Sequence, residues 1–396
     1  MSSLLFILYL NELEKMLEGT RGGFKIGKRR VKGMMLADDI VLFGEKIEDV
    51  EGLLGVCGQY GENYGMEFSR DKTKYMIFSG TEEQWLGGRK VGLGGWEIDR
   101  AREYDYLGIN LNDGEEYLAG YRRKVMAKAR KMVGVVGWVG GMSFQKPHFT
   151  RVLWKQVAIP AITYGWDVVL VTGKEREELE IMQRKVARRA MGGGSLVANA
   201  GVEGEWGCST FKGREARAKL KFLGRLAYMD ERRWAKVVFE YGLGKPMTKW
   251  RGRAMRLDRW VRDGGRVMAN LDNKGWDKRV ERRVGMSLER DWREEMGKKS
   301  TLKYYASKRK TAWEDIYDSS RESGLLFRAR AGGLEVGERV AKWEGGRGIC
   351  KICGDGVENL EHVMLTCGAM RTERNQLGWR EMEGDGGDRR GKSWAS

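Results

Sequence analysis

Residues 36–43 read Leu-Ala-Asp-Asp-Ile-Val-Leu-Phe, and a further apolar run from Val31 leads into them. Two apolar runs joined by Ala37-Asp38-Asp39 predict a β-hairpin with two acids at its tip. Nucleotidyl transfer needs carboxylates that hold two Mg²⁺ ions about 3.5–4 Å apart, and a tight hairpin holds such a group rigidly. Adjacent aspartates are also common in ordinary turns, so the hairpin alone leaves both interpretations open.

The segments around the hairpin alternate between helical and strand patterns. Apolar residues recur at helical spacing over residues 3–18 and 47–63, which predicts two amphipathic helices. Strand patterns occupy residues 24–43, 73–78 and 104–111. The glycines of Gly92-Leu93-Gly94-Gly95 open no helix, so they predict a turn and not a dinucleotide-binding loop. The sequence therefore predicts an α+β fold at this end of the chain.

From about residue 118 onward the pattern is helical. Residues 118–139 and 174–191 are amphipathic with a basic face, and the run from Val157 to Gly165 between them predicts a buried segment. Residues 212–345 are strongly basic and carry several tryptophans among the cations, namely Trp234, Trp250, Trp260, Trp276, Trp292 and Trp313. These indoles either form core or stack on unpaired bases, and both interpretations can hold together.

The charge balance favours a polyanionic partner. The 396 residues carry a formal net charge of +17, and Lys and Arg that neutralise phosphates drive nucleic-acid binding. A generally basic protein without such a partner is the alternative. No apolar run has the length of a membrane span. Only five cysteines occur, which argues against a disulfide framework and favours an intracellular location, in the cytoplasm or the nucleus.

Three further segments, in this order, give the hairpin its context. Ser3–Leu13 precedes it, Gly65–Lys74 follows the next predicted helix, and Tyr104–Ile109 comes after that. Together with the hairpin these segments resemble successive palm motifs of reverse transcriptases from retrotransposons that lack long terminal repeats, the LINE type. The Pro-Ala-Ile-Thr-Tyr-Gly-Trp segment at residues 160–166 resembles the thumb of that family more weakly. Leu36 and Ser69 depart from the family pattern, which has an aromatic residue and Asn at these positions.

The resemblance implies a role for each matching residue. Asp38 would bind Mg²⁺ and Asp39 would support that site. Lys72 matches the lysine that protonates the pyrophosphate leaving group. The segment Tyr106-Leu107-Gly108 would hold the primer end. The implied reaction is RNA-directed DNA synthesis, with an RNA template and a DNA primer or target DNA as partners.

The family's first catalytic aspartate lies upstream of the motif with which this sequence begins. We therefore expect an N-terminally truncated polymerase without fingers, and no polymerase activity from this chain alone. Two alternatives stay open. One is a non-catalytic nucleic-acid-binding protein derived from a truncated element, and the other is a decayed product without function.

Three cysteines and a histidine cluster late in the chain, with the spacing Cys350-x₂-Cys353-x₈-His362-x₄-Cys367. Zn²⁺ prefers four tetrahedral thiolate and imidazole ligands, so this spacing predicts a zinc knuckle. Ordinary reduced thiols are the alternative. The cluster is similar to the Cys-Cys-His-Cys element at the C-terminal end of the same polymerases, which an Arg-x-Arg-x-Gly stretch precedes, here at residues 328–332. The other histidine, His148, follows Pro147 and is predicted to lie in a loop.

The predicted organisation has four parts. Residues 1–115 form the C-terminal half of a palm, and residues 116–235 form a helical thumb. A basic, tryptophan-rich helical region follows at 236–345. The zinc knuckle and a tail occupy 346–396.

Overall fold

The structure is a computed structural model that describes residues 3–114, 116–261 and 273–376. The tail at 377–396 and part of the predicted basic region lie outside the described residues. The α-helices are α1 (Ser3–Gly19), α2 (Ile47–Tyr64), α3 (Glu82–Leu86), α4 (Ala119–Gly141), α5 (Lys146–Leu153), α6 (Ile159–Thr163), α7 (Gly173–Ala190), α8 (Asn199–Trp206), α9 (Phe211–Ala227), α10 (Trp234–Leu243), α11 (Lys249–Val261), α12 (Asn273–Gly297), α13 (Arg321–Arg330), α14 (Gly337–Glu344) and α15 (Arg371–Gln376). Across these ranges, no helix combines the length and the apolar character that crossing a bilayer requires.

The strands form two-stranded pairs. They are β1 (Phe24–Ile26), β2 (Arg29–Val31), β3 (Gly33–Leu36), β4 (Asp39–Leu42), β5 (Lys74–Tyr75), β6 (Gly92–Leu93), β7 (Trp96–Glu97), β8 (Asp99–Arg100), β9 (Glu103–Tyr106) and β10 (Ile109–Asn112). The β5–β8 pair is parallel, and the other four described pairs are antiparallel hairpins. The mixture of helices and strands agrees with the predicted α+β class.

Two strand predictions need correction. Residues 104–111 do not form one strand, because the chain reverses at Leu107-Gly108 and the two halves pair as β9 and β10. The strand predicted at 73–78 is reduced to β5. The predicted turn at Gly94-Gly95 is confirmed, since it joins β6 to β7 with both glycines at positive φ.

The chain divides into two compact units, each assembled from separate segments. The first contains Met1–Met126, Gly165–Val171 and Ala216–Val280, and the second contains Ala127–Tyr164, Thr172–Glu215 and Glu281–Ser396. The four sequential domains stay predictions.

The core of the first unit lies between α1 and α2. Buried apolar side chains from both helices meet there, with Leu13, Leu53 and Tyr60 fully buried. The start of α2 is fixed by Asp49, whose carboxylate accepts hydrogen bonds from the backbone N–H groups of residues 45 and 46. Such a cap supplies acceptors for donors that the first helical turn cannot pair.

The second unit is helical, and it corrects two predictions. His148 lies inside α5 and not in a loop, because Pro147 occupies the first turn, where its missing N–H costs nothing. A π-helical turn at Trp154–Ala158 connects α5 to α6. The run from Val157 to Gly165 was predicted to be buried, but only part of it is. Ile162 is fully buried, while Val157 is 49% exposed.

The tryptophans singled out from the sequence are buried or half-buried. Three of them donate their indole N–H to backbone carbonyls, Trp250 to Asp167, Trp276 to Leu220 and Trp292 to Ala200. An indole that packs in this way is structural. The core interpretation is therefore confirmed for Trp276 and Trp292, which are buried, whereas Trp250 is half-buried.

Candidate active site and metal centre

The predicted hairpin is present as β3 and β4. Leu36 pairs with Asp39, so Ala37 and Asp38 form a two-residue turn. Ala37 has a φ of 53°, a left-handed conformation that residues other than glycine adopt rarely. Asp38 lies at the tip and Asp39 begins β4, and both side chains are exposed. The hairpin thus places two adjacent carboxylates at its solvent-facing end.

The inner face of the hairpin attaches it to the core of the first unit. Met35, Ile40 and Leu42 pack against the apolar cluster that α1 and α2 build. The backbone N–H of Phe43 also donates to the carbonyl of Lys32, at 2.8 Å. The apolar residues that flank the acids therefore fix the position of the turn.

A second two-residue turn carries the predicted primer-grip residues. Tyr106 pairs with Ile109 across the β9–β10 hairpin, and Leu107 and Gly108 form the tip. Both tip residues have positive φ, 48° and 76°, which matches the twist of the flanking strands. Leu107 and Ala37 are the described non-glycine residues with positive φ. Both of the unusual backbone positions thus fall at the tips of predicted site hairpins.

The two hairpins are electrostatically coupled. Burial raises the pKa of Tyr106, and the carboxylate of Asp39 raises it further. A nearby negative charge disfavours the phenolate, so this effect places the ring of Tyr106 near the hairpin acids. The structure therefore brings together two segments that lie far apart in the sequence.

Lys72 is connected to β9 through its backbone. It is an exposed residue in a turn, and its carbonyl accepts a hydrogen bond of 3.0 Å from the hydroxyl of Tyr104. The turn itself is closed by Thr73, whose N–H and hydroxyl both donate to the carbonyl of Ser69. Within the described part of the chain, the Lys72 ammonium forms no ion pair with the hairpin acids.

One further ion pair, which was not predicted from the sequence, fixes β9. Asp105 lies between the aromatic residues of this strand and accepts hydrogen bonds from Lys124 of α4 and from Asn110. The Lys124 ammonium is the main cause of the lowered pKa of Asp105. Because Asp105 stays charged, its ion pair with Lys124 holds the strand that leads into the Leu107-Gly108 turn against the first turns of α4.

The four predicted zinc ligands converge in the second unit. Their ligand atoms all lie within 4.8 Å of one another, and Cys353 Sγ is 3.3 Å from His362 Nε2. Cys350 and Cys367 are fully buried. The turn between the first two cysteines is closed by backbone hydrogen bonds, from Gly354 N–H to Cys350 O and from Cys350 N–H to Gly356 O.

The donor set fits zinc. Bond lengths of about 2.0–2.3 Å in a tetrahedral site place the ligand atoms roughly 3.3–3.8 Å apart, close to the arrangement found here. A hydrogen bond from the Cys353 backbone N–H lowers the pKa of the Cys350 thiol to about 7. This lowered pKa favours the thiolate form of Cys350, which is the form that binds metal. Cys57 differs, because burial raises the pKa of its thiol to about 12.

Comparisons with known proteins show similarity to reverse transcriptases. Residues 1–111 match the family model described as reverse transcriptase (RNA-dependent DNA polymerase). The chain is also similar to the retrovirus-related Pol polyprotein from type-1 retrotransposable element R1 3 of Nasonia vitripennis, with 28% identity over 144 residues. These matches support a LINE-type reverse transcriptase. The alignment covers 33% of this chain and 37% of that polyprotein.

The predicted polymerase residues all fall within the reverse-transcriptase match. Asp38, Asp39, Lys72 and the turn at Tyr106-Leu107-Gly108 lie in residues 1–111. The Cys/His cluster lies outside that range, so the zinc assignment depends on its own geometry. The chain spans little more than a third of the polyprotein, at 37% of its length.

Proposed function

We propose that this chain is part of the RNA-directed DNA polymerase of a retrotransposon without long terminal repeats, acting by two-metal nucleotidyl transfer. One observation carries the proposal. The Ala-Asp-Asp hairpin lies within residues 1–111, which match the reverse-transcriptase model, and its Asp39 carboxylate is near enough to Tyr106 of the Tyr-Leu-Gly turn to raise the pKa of that phenol. A primer end held at that turn would lie next to the carboxylates that bind the catalytic ions.

The accessible hairpin suits Mg²⁺. Magnesium is usually bound by one or two carboxylates together with substrate phosphates and water, and Asp38 and Asp39 leave room for both. The bound ions would activate the primer hydroxyl and neutralise the charge of the triphosphate. Asp38 binds metal in this proposal and Asp39 supports the site. Lys72 supplies a proton to the pyrophosphate that leaves.

The remainder of the chain would hold the nucleic acid. The net charge of +17 suits a phosphate backbone, and the exposed cations of α4 and α7 extend along both helices. The zinc knuckle would add a second contact with RNA or DNA. The partners proposed are an RNA template and a DNA primer or target DNA.

A non-catalytic nucleic-acid-binding function is the second candidate. In the described ranges, Asp38 and Asp39 are not part of any group of three potential metal ligands. A two-metal site that bridges both ions normally draws on more carboxylates than a single hairpin offers. The chain alone would then bind template and primer without extending the primer.

RNA-templated incorporation of deoxynucleotides distinguishes the two candidates. We expect no extension by this chain alone. We expect extension when it is joined to a LINE-type palm segment that supplies a further metal-binding aspartate. Asp38→Asn should lower that activity by at least about a hundredfold, because bound metal contributes several kcal/mol to transition-state stabilisation. Asp71→Asn, which removes an exposed turn carboxylate outside the hairpin, should change it little. Equal activity of the two variants would refute the polymerase proposal.

A further inference from the structure

A small pocket lies between α4, α5 and α7 in the second unit. Val133 and Gly137 of α4 line one wall, and Lys146 and Thr150 of α5 line another. Lys185 and Arg189 of α7 lie on the third side, and the residues that line the pocket include no carboxylate. Three cations therefore face one cavity without an acid among them.

The three cations are available to a ligand. Lys185 and Arg189 are exposed and Lys146 is half-buried. Among the described residues none of their side chains forms an ion pair, in contrast to Arg184 on the same helix, which pairs with Glu177 and Glu203. Three neighbouring positive charges repel one another unless an anion lies between them.

Thr150 is an independent indication of a ligand. This residue is only 2% exposed, and its hydroxyl has no hydrogen-bond partner among the described residues. A buried hydroxyl without a partner costs free energy, so native proteins nearly always pair such a group. Thr150 is also one of the residues that line the pocket.

Two features hold the pocket in shape. A Cβ atom at Gly140 would lie 2.1 Å from the Thr150 hydroxyl oxygen, so glycine at this position allows α4 to approach α5. Ser319 fixes the loop between these helices. Its hydroxyl donates to the carbonyl of Phe144 at 2.6 Å and accepts from the backbone N–H of Lys146 at 2.9 Å.

We propose that this pocket binds a phosphate group, specifically a backbone phosphodiester of the nucleic acid that the chain holds. Phosphate oxygens accept hydrogen bonds from the hydroxyl of Thr150, while Lys146, Lys185 and Arg189 neutralise the charge. The nucleic-acid source depends on the proposed function, whereas the anion site itself does not. A contact with one backbone phosphate would fix the position of the strand without reading its sequence.

The test is fluorescence anisotropy with a labelled single-stranded RNA, over a series of salt concentrations. Thr150→Val removes the hydroxyl with little change of volume and should weaken binding about tenfold, the effect of one hydrogen bond to a charged group. Thr150→Ser should retain the affinity. Lys185→Gln and Arg189→Gln should each lower the slope of log K against log salt, by about 0.7 for each phosphate that is no longer neutralised. The matched control is Lys174→Gln, an exposed lysine of α7 outside the pocket, which should not reproduce the weaker binding of Lys185→Gln.

Two further probes separate the sources of phosphate. An oligonucleotide with uncharged methylphosphonate linkages should bind equally to the wild-type chain and to Lys185→Gln, because only the charge of the phosphate is removed. Calorimetry with inorganic phosphate tests the anion site without nucleic acid, and binding that Thr150→Val abolishes supports the site. If RNA binds but the pocket variants behave like Lys174→Gln, the pocket proposal is wrong and the proposed function stands. If no RNA binds, the proposed function fails, and the phosphate titration alone decides whether the pocket is an anion site.

Discussion

The negative charge of the Asp39 carboxylate affects the pKa of the Tyr106 phenol, although Tyr106 lies 67 positions later in the sequence. Burial and this negative charge together raise the pKa of Tyr106. A raised pKa favours the protonated phenol, which is the form that donates a hydrogen bond. The coupling joins the proposed metal-binding hairpin to the proposed primer grip.

Removal of the Asp39 charge should lower the pKa of Tyr106. We expect Asp39→Asn to move it toward the ordinary tyrosine value without reaching it, because burial remains. An NMR pH titration of the tyrosine ring carbons measures the shift. Tyr75, whose pKa burial and Glu82 raise to about 12, should be unaffected and serves as the internal control. An unchanged Tyr106 would mean that the two hairpins are not neighbours in solution.

The Cys/His cluster should bind one equivalent of metal. Titration of the metal-free chain with Co²⁺ should give the absorption of a tetrahedral thiolate site, saturating at one ion per chain. Cys353→Ser and His362→Ala should each weaken binding strongly, since zinc contributes about 10–16 kcal/mol in comparable small domains. Cys208→Ala removes a buried thiol outside the cluster and should leave the stoichiometry intact. If metal binding is unaltered after either ligand is removed, the zinc assignment is wrong and the cysteines are ordinary reduced thiols.

The raised pKa of the Glu180 carboxyl predicts how the free energy of unfolding depends on pH. Its buried carboxyl accepts hydrogen bonds from the backbone N–H groups of Phe211 and Lys212 at the start of α9. Burial nevertheless dominates and raises the pKa of Glu180 to about 7. The folded state thus binds this proton more tightly than the unfolded state. The stabilisation is complete below the ordinary value of 4.5 and is lost as the pH rises through about 7.

We therefore expect the free energy of unfolding to fall as the pH rises from about 5 toward about 8. A raised pKa of about 7 corresponds to a decrease of up to about 3 kcal/mol. Urea unfolding followed by tryptophan fluorescence measures this dependence. Glu180→Gln should flatten the pH profile, and Glu344→Gln, which removes an exposed carboxyl of α14, should not. A wild-type profile that is already flat would contradict the assignment.

Local patterns predicted the features that local chemistry decides. The acidic hairpin follows from two apolar runs around Ala37-Asp38-Asp39, and α1 and α2 follow from apolar periodicity. The spacing of three cysteines and one histidine predicts the zinc cluster, because four metal-binding side chains seldom coincide in so short a segment. These predictions needed no knowledge of the tertiary structure.

Other features depend on contacts between distant segments. Leucine rarely adopts positive φ, so the pattern around Leu107 predicted a continuous strand where the chain reverses. Pro147 suggested a loop, although proline is favourable in a first helical turn. The pocket between α4, α5 and α7 was not predicted, because its lining residues come from three helices that meet only in the folded chain. In the described ranges the exposed indoles are Trp138 and Trp343, at 65% and 61%, and not the six singled out from the sequence.

The most direct measurement of the proposed active site is to locate the bound divalent ion. The sample is the zinc-loaded chain with primer–template and a deoxynucleotide, in which Fe²⁺ replaces Mg²⁺. The bound Fe²⁺ generates hydroxyl radicals that cleave the protein backbone near the ion. We expect cleavage at two places, around Asp38 in the hairpin and around Tyr106 in the adjacent turn. Asp38→Asn should abolish both cuts, and Asp71→Asn should leave both. Cleavage elsewhere, or the same pattern in Asp38→Asn, would contradict the proposal that this hairpin holds the catalytic ion.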